Sequence, residues 1–185
     1  MPKSDLETLK SAIKRSWPYD PDTKARRYIG KFFNQSRLGQ KITAQVEGNH
    51  GTYTVSIQVD DDLVTSACSC YIGSSGGCHH CAALAATFLA EPDQFKEITL
   101  KPLAKVSDLI ELQTYLKSVT LDTLLGDLKA SGISQKAFAE SIGMSTTHLS
   151  AVKSSELKNR YFHELGATKL ACLWVLEHIA ETKAK

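Results

Sequence analysis

The sequence predicts an α+β protein with a β-rich N-terminal part and an all-helical C-terminal part. Three observations support this prediction. Apolar and polar residues alternate between residues 41 and 68, which is the period of a β-strand. After Ser107 the apolar residues follow the helical period, without a strand signal. Four of the five cysteines and two of the six histidines lie in "CSCYIGSSGGCHHC", where the strand pattern ends.

The N-terminal part is expected to contain an antiparallel β-meander between two helices. The first helix covers residues 4–16 and is ended by the two prolines of "SWPYDPD". Strands are predicted in "KITAQVEG", "TYTVSIQV" and "LVTSACSC", with reversals at residues 48–51 and at "DDD". The second helix is expected to begin near Cys78 and to end before Pro92, because "CHHCAALAATFLA" is rich in good helix formers.

The boundary between the two parts is predicted within residues 92–106. This stretch, "PDQFKEITLKPLAKV", has mixed polarity and two prolines, which are features of a linker. The expected organisation is a metal-containing domain over residues 1–91, a linker over residues 92–106 and a helical domain over residues 107–185.

The composition favours a soluble cytoplasmic protein with no membrane partner. The most apolar stretch, "LACLWVLEHIA", is too short to cross a bilayer, and the N-terminus has no secretory apolar core. In a reducing cytosol, clustered cysteines are more often metal ligands than disulfides. The distant Cys172 and its neighbour Trp174 lie in an apolar helical pattern and are expected in the core.

The net charge of +2 is distributed unevenly along the chain. Residues 1–60 contain ten Lys or Arg against six Asp or Glu, whereas residues 106–185 contain nine of each. The basic surplus lies around "KARRYIGKFFNQSRLGQK", where aromatic residues are interleaved. Such a pattern suits contact with phosphates, and it suits a solvated surface equally well.

The cysteine cluster predicts a structural Zn²⁺ site. Cys68 and Cys70 are two residues apart, so on an extended strand both thiols point to the same side. The glycine-rich loop that follows allows the chain to bring Cys78 back to them. Four nitrogen or sulfur ligands with no open position are typical of structural zinc. Spacing alone leaves the fourth ligand open among Cys81, His80 and His79.

The pattern C-x-C, seven residues, C-x-H resembles the SWIM-type zinc finger. The strand-rich stretch before it and "CHHCAALAATFL" after it also resemble that family, over residues 24–90. The resemblance implies Cys68, Cys70, Cys78 and His80 as the zinc ligands, with Cys81 outside the coordination sphere. The chain departs from the family in one respect: the family often has a proline or a lysine near these cysteines, whereas this chain has Tyr71 and His79.

Nothing near the cluster indicates catalysis. The nearest carboxylates in sequence, at residues 60–62, are expected in a hairpin turn, and a catalytic metal needs an open position with an acid or base beside it. We therefore expect a protein that is not an enzyme. An alternative is a thiol sensor, for which Cys81 is the candidate, because C-x-x-C at a helix start resembles a redox motif.

The stretch "SQKAFAESIGMSTTHLSAVKSS" has the spacing of two helices joined by a tight turn. Ser134 is a good N-cap for the first helix, and Gly143 can take the left-handed conformation that ends it. Ser145 can cap the second helix, whose buried side would carry Leu149 and Val152.

This spacing resembles the helix-turn-helix of phage repressors, over residues 119–182. The resemblance implies that the second helix enters the major groove of DNA. The residues that would then meet DNA are Gln135, Thr146, Thr147, Ser150 and Lys153. Repressor-type domains commonly dimerise, so a homodimer is a further expectation.

The function predicted from these features is that of a zinc-containing, DNA-binding transcriptional regulator. Two modules that each bind weakly gain affinity when they are joined. The alternative is an adaptor that binds a protein partner without reading DNA, because the helical part has no net charge and DNA affinity depends strongly on phosphate neutralisation.

Overall fold

The computed structural model describes residues 5–60, 63–73, 77–99, 101–160 and 163–183. Within these residues the protein is α+β, as predicted, with one five-stranded mixed sheet and eight helices. It divides into two compact units. The N-terminal unit comprises Met1–Thr99 and Lys158–Arg160, and the helical unit comprises Leu100–Leu157 and Tyr161–Lys185.

The N-terminal unit is built from a sheet and three helices. The strand order is β4-β3-β2-β1-β5, in which β1 to β4 are antiparallel neighbours and β5 runs parallel to β1. The elements are α1 (Asp5–Ser16), α2 (Thr23–Arg26), β1 (Phe33–Leu38), β2 (Lys41–Gly48), β3 (Gly51–Asp60), β4 (Leu63–Cys68), α3 (His79–Ala90) and β5 (Lys96–Glu97).

The predicted alternation of β2 and β3 is confirmed by their burial. Ile42 lies opposite Ile57, and Ala44 lies opposite Val55, and all four side chains are fully buried. The α1 and α3 helices contribute buried residues to the same core, among them Leu9 and Phe88. Each large apolar side chain of this core stabilises the fold by about 1.5–3 kcal/mol relative to its exposed state.

Strands β1 and β5 were not predicted, because neither has the alternating pattern. The register of β1 against β2 shifts between Phe33 and Ser36, and Asn34 has a positive φ of 51°. Strand β5 has two residues and lies inside the predicted linker. Its Glu97 forms a 2.9 Å ion pair with Arg37 of β1, so a contact distant in sequence defines the strand.

The helical unit contains five α-helices in the part of the chain that the structure describes. They are α4 (Leu109–Ser118), α5 (Leu121–Ala130), α6 (Gln135–Ser141), α7 (Thr146–Leu157) and α8 (Leu165–Lys183). Phe138 of α6, Leu149 of α7 and Cys172 of α8 meet the leucines of α5 in one buried core.

The local features predicted between α6 and α7 are present. Ser134 accepts a hydrogen bond from the backbone N–H of Ala137, and Ser145 accepts one from His148. Gly143 has a φ of 70°, in the left-handed region where a side chain is strained.

Two further predictions in the helical unit had different outcomes. Cys172 is fully buried, as expected. The prediction for Trp174 was wrong: it is 60% exposed and stacks on His178 with 4.2 Å between ring centroids, because α8 turns this side away from α5.

A buried ion pair and its hydrogen bonds join four helices of the helical unit. Lys169 of α8 lies 2.5 Å from a carboxylate oxygen of Glu156 on α7, and their side chains are 4% and 15% exposed. The other carboxylate oxygen accepts a hydrogen bond from the backbone N–H of Leu121, at the start of α5. Lys169 also donates to the carbonyl oxygen of Leu116 on α4.

None of the helices in the described ranges is both long and apolar enough to cross a bilayer. The "DDD" reversal is predicted at residues 60–62, and residues 61–62 lie outside the described residues. The glycine-rich loop is predicted at residues 71–77, and residues 74–76 of this loop also lie outside them.

We expect Glu156→Ala to lower the free energy of unfolding of the helical unit by about 3–5 kcal/mol, because it leaves the Lys169 ammonium buried without a carboxylate. Hydrogen exchange of the α5 amides in the full chain measures this change. The control is Glu140→Ala, which removes an exposed pair with Lys136 and should cost about 0–1 kcal/mol. An equal effect of the two substitutions would contradict the prediction.

Candidate metal centre

Strand β4 brings Cys68 to the side of the sheet that faces α3. Cys68 lies opposite the buried Val55 of β3. The next residue, Ser69, pairs with Thr54: its backbone N–H donates to the Thr54 carbonyl at 3.0 Å, and its hydroxyl accepts from the Thr54 N–H at 3.0 Å. Because Ser69 is fixed to β3, the thiols of Cys68 and Cys70 turn together to the other side.

The first turn of α3 supplies the remaining candidate ligands. Cys78 is the N-cap residue, in an extended conformation with φ −87° and ψ 160°. His80 is the second residue of the helix. The helix therefore begins at the point where its first turn meets the end of β4.

Three thiols and one imidazole converge between these elements. The sulfurs of Cys68, Cys70 and Cys78 and a ring nitrogen of His80 all lie within 4.8 Å of one another, and all four residues are buried. His80 Nδ1 is 3.7 Å from Cys68 Sγ and 3.9 Å from Cys78 Sγ. In a tetrahedral zinc site the nitrogen–sulfur separation is about 3.5 Å, given Zn–S and Zn–N bonds of about 2.3 and 2.0 Å. The group is therefore close enough to hold a metal ion.

Gly73 closes the loop against the cysteines. A Cβ on Gly73 would lie 2.4 Å from Cys68 Cβ and 2.9 Å from Cys70 Sγ, far inside van der Waals contact. Its backbone N–H lies 3.1 Å from Cys70 Sγ and donates to it. Glycine is required here by this close approach, since the loop must pass directly over both sulfur-bearing residues.

Aromatic rings surround the His80 imidazole. Tyr28 lies edge-on at 4.6 Å between ring centroids, Tyr53 is at 5.0 Å and His79 is at 4.2 Å. His80 Nε2 is buried and has no hydrogen-bond partner among the described residues. The ring is thus positioned by packing, with Nδ1 turned to the sulfurs. A Cβ on Gly48 would lie 2.2 Å from the Tyr53 ring, so Gly48 leaves the space that Tyr53 occupies.

Cys81 is a fourth thiol beside the group but is not a member of it. Its sulfur lies 3.6 Å from Cys78 Sγ and is almost fully buried. Hydrogen bonds from the Cys68 and Cys81 thiols lower the pKa of Cys78. The hydrogen bond to Cys78, together with burial, raises the pKa of Cys81. In the helical unit, by contrast, burial raises the pKa of Cys172 to about 12.

The residues predicted to meet DNA occupy the helical unit. Thr146, Thr147 and Ser150 are exposed on α7, and Gln135 is half-buried at the first position of α6. The ammonium of Lys153 donates to Asp122 of α5 at 3.0 Å. The one lysine of α7 therefore already has a carboxylate partner.

The sequence prediction missed the residues that surround the ligands. Tyr28 and Gly73 have no motif of their own, and the Tyr-x-Val pair of Tyr53 and Val55 belongs to the family resemblance without indicating a contact with His80. These roles depend on the way in which distant segments pack. The glycine-rich loop was recognised from its composition, but composition does not say which glycine must lack a side chain.

Comparison of the chain with protein-family models, with curated proteins and with solved structures finds no match. The site and its surroundings therefore carry the evidence for function.

We expect Gly73→Ala to weaken metal binding by about 10- to 100-fold, the usual effect of disturbing residues that support metal ligands. The added methyl group would push Cys68 and Cys70 apart from the other two ligands. Competition titration with a chromogenic chelator measures the affinity. Gly77→Ala is the matched control, because no described atom lies within 4 Å of a Cβ there. Equal affinities of the two variants would show that the loop does not constrain the site.

Proposed function

We propose that the N-terminal unit is a SWIM-type zinc finger in which Cys68, Cys70, Cys78 and His80 hold one Zn²⁺. The observation that carries this proposal is the buried group of three sulfurs and one nitrogen within 4.8 Å. Thiolate and imidazole are the ligands that zinc prefers, whereas magnesium and calcium prefer oxygen. The nitrogen–sulfur separations of the group, which are close to those of a tetrahedral zinc site, agree with this choice.

The proposed role of the metal is structural. Four protein ligands fill a tetrahedral coordination sphere and leave no position for a substrate or water. The ligands come from the end of β4 and from the first turn of α3, so the metal would fix the sheet to the helix that covers it. We therefore propose that the protein is not an enzyme.

We further propose that the protein binds DNA and regulates transcription. One supporting observation is a group of exposed cations beside the metal centre. Lys24, Arg27 and Lys31 are exposed, and within the described ranges none of them forms an ion pair. Tyr28 lies between them in sequence and packs against His79 and His80. Unpaired cations on one short segment are suited to phosphate contact.

A second supporting observation is the exposed side of α7. The capped helices α6 and α7, joined through Gly143, agree with the local geometry of a helix-turn-helix, and Thr146, Thr147 and Ser150 are exposed hydrogen-bonding side chains. Such side chains bond to base edges or phosphates. Because Lys153 is paired with Asp122, α7 would contribute selectivity, and the cations of the N-terminal unit would contribute most of the affinity.

An adaptor role is the second candidate function, and the loop that joins the ligands favours it. Tyr71 and Ile72 follow Cys70 directly and are 93% and 64% exposed. Large exposed apolar side chains are common where a protein partner binds.

Removal of the metal is expected to unfold the N-terminal unit and to leave the helical unit folded. Chelation should abolish hydrogen-exchange protection of the β2 and β3 amides, whereas the α5 amides should stay protected, because the proposed ligands belong to one unit only. His80→Ala should lose the metal, and Cys81→Ser should retain one ion per chain by elemental analysis. Unchanged β3 protection in the metal-free chain would refute a structural role.

The DNA proposal predicts a steep salt dependence that depends on three cations. Replacing Lys24, Arg27 and Lys31 with glutamine should reduce the slope of log K against log salt by about 2.7, or about 0.9 for each phosphate that is no longer neutralised. Fluorescence anisotropy of the full chain on duplex DNA of random sequence measures this slope. A control with the same change in charge replaces three exposed lysines of the helical unit with glutamine, at Lys105, Lys117 and Lys129.

The two candidate functions give different results in this assay. Equal slopes for both triple variants would contradict the proposal that Lys24, Arg27 and Lys31 contact the phosphates of DNA. No binding to any duplex at low salt, together with a stoichiometric protein complex free of nucleic acid, would favour the adaptor.

A further inference from the structure

We propose that Cys78 and Cys81 form an oxidisable dithiol, at which a hydroperoxide converts a metal ligand into a disulfide and releases the metal. The inference rests on the metal centre proposed above and is independent of DNA binding. Its basis is the 3.6 Å separation of the two sulfurs. One of these sulfurs belongs to the ligand group, and the other lies outside it.

The backbone already holds the two cysteines in position for a disulfide. Both lie in the first turn of α3, where the N–H of Cys81 donates to the carbonyl oxygen of Cys78 at 3.0 Å. A disulfide requires the sulfurs to approach to about 2 Å. Because one helical turn carries both residues, this approach needs side-chain rotation and no movement of β4 or of the sheet.

The remaining sulfurs are placed differently. Cys68 Sγ and Cys70 Sγ each accept a hydrogen bond from a backbone N–H, at 3.5 and 3.1 Å, and these bonds hold them in the loop. Cys172 is buried in the core of the helical unit, away from the cluster. Cys81 is the one cysteine that lies beside a proposed ligand without being needed to complete the tetrahedron.

The oxidation is balanced with one hydroperoxide, here hydrogen peroxide. The Cys78 thiolate attacks one peroxide oxygen, the O–O bond breaks, and hydroxide leaves and takes up a proton to form water. The sulfur of Cys81 then attacks the resulting sulfenic acid, and the second hydroxide takes the thiol proton and leaves as water. Two electrons pass from the two sulfurs to one peroxide.

The loss of Cys78 would leave the metal with Cys68, Cys70 and His80. Three ligands bind zinc less tightly than four, and the bridge between β4 and α3 would retain only His80 on the helix side. Gly77, directly before Cys78 in the chain, is exposed. Oxidation would therefore release the metal and loosen the contact between sheet and helix.

The test uses the full chain loaded with one Zn²⁺ and treated with one equivalent of hydrogen peroxide without air. A chromogenic chelator follows metal release, and mass spectrometry after alkylation maps the disulfide. We expect one metal ion to be released for each Cys78–Cys81 disulfide. Cys81→Ser should release metal at least about tenfold more slowly, because the one neighbouring thiol that lies outside the ligand group is then absent. Cys172→Ala should behave as the unsubstituted chain does.

The possible outcomes distinguish a failure of the dithiol proposal from a failure of the proposed metal centre. A disulfide between any other pair, or equally fast release from Cys81→Ser, would overturn the dithiol alone. Retention of the metal after formation of the Cys78–Cys81 disulfide would also overturn it. A chain that binds no zinc would overturn both. The disulfide map of the unsubstituted chain decides the matter if Cys81→Ser does not fold.

Discussion

The convergence of three thiols and one imidazole between β4 and α3 is the constraint on which the N-terminal unit depends. The sheet needs α3 to cover the side that carries Ile42 and Ile57, and the cluster forms where the helix begins. Several features of the unit serve this one junction: Ser69 is fixed to β3, Gly73 lies against Cys68, and aromatic rings enclose His80. The four residues of the group lie close enough to hold a metal ion.

The two units are stabilised by different interactions. The helical unit has a leucine-rich core and, within it, the pair of Lys169 and Glu156, which joins α8 to α7 and reaches the first residue of α5. A buried ion pair adds little net stability relative to apolar residues of similar volume. Removal of either partner is strongly destabilising, because it leaves the other charge buried without compensation. The N-terminal unit instead concentrates its polar contacts at the cysteine cluster. A change in metal content or oxidation state would therefore act on one unit and leave the other folded.

The proposed functions place affinity and selectivity on different surfaces. Lys24, Arg27 and Lys31 form no ion pair with the residues that the structure describes, whereas α7 offers hydroxyl groups and one lysine that Asp122 already neutralises. Because Tyr28 connects the basic segment to the imidazole of His80, the segment that would contact phosphate packs on the metal centre. If the proposed DNA contact is made, this packing would make it depend on the metal, and the proposed dithiol of Cys78 and Cys81 would make it sensitive to oxidants.

The sequence by itself determined the α+β class and the approximate positions of β2 to β4 and of the start of α3, because these depend on the local periodicity of apolar residues and on helix propensity. It also determined the capped turn at Gly143, because capping and a left-handed backbone conformation are properties of single residues. It also predicted Cys68 and Cys70 on one side, as residues two apart on a strand. In the structure β4 ends at Cys68, and the pairing of Ser69 with Thr54 keeps the neighbouring chain against β3. Spacing alone left His79, His80 and Cys81 open, and only the tertiary structure brought His80 into one group with all three sulfurs, because that depends on the rotation of α3 against the sheet. Strand β5, the enclosing tyrosines and the exposure of Trp174 likewise result from contacts between distant segments, which no local pattern encodes.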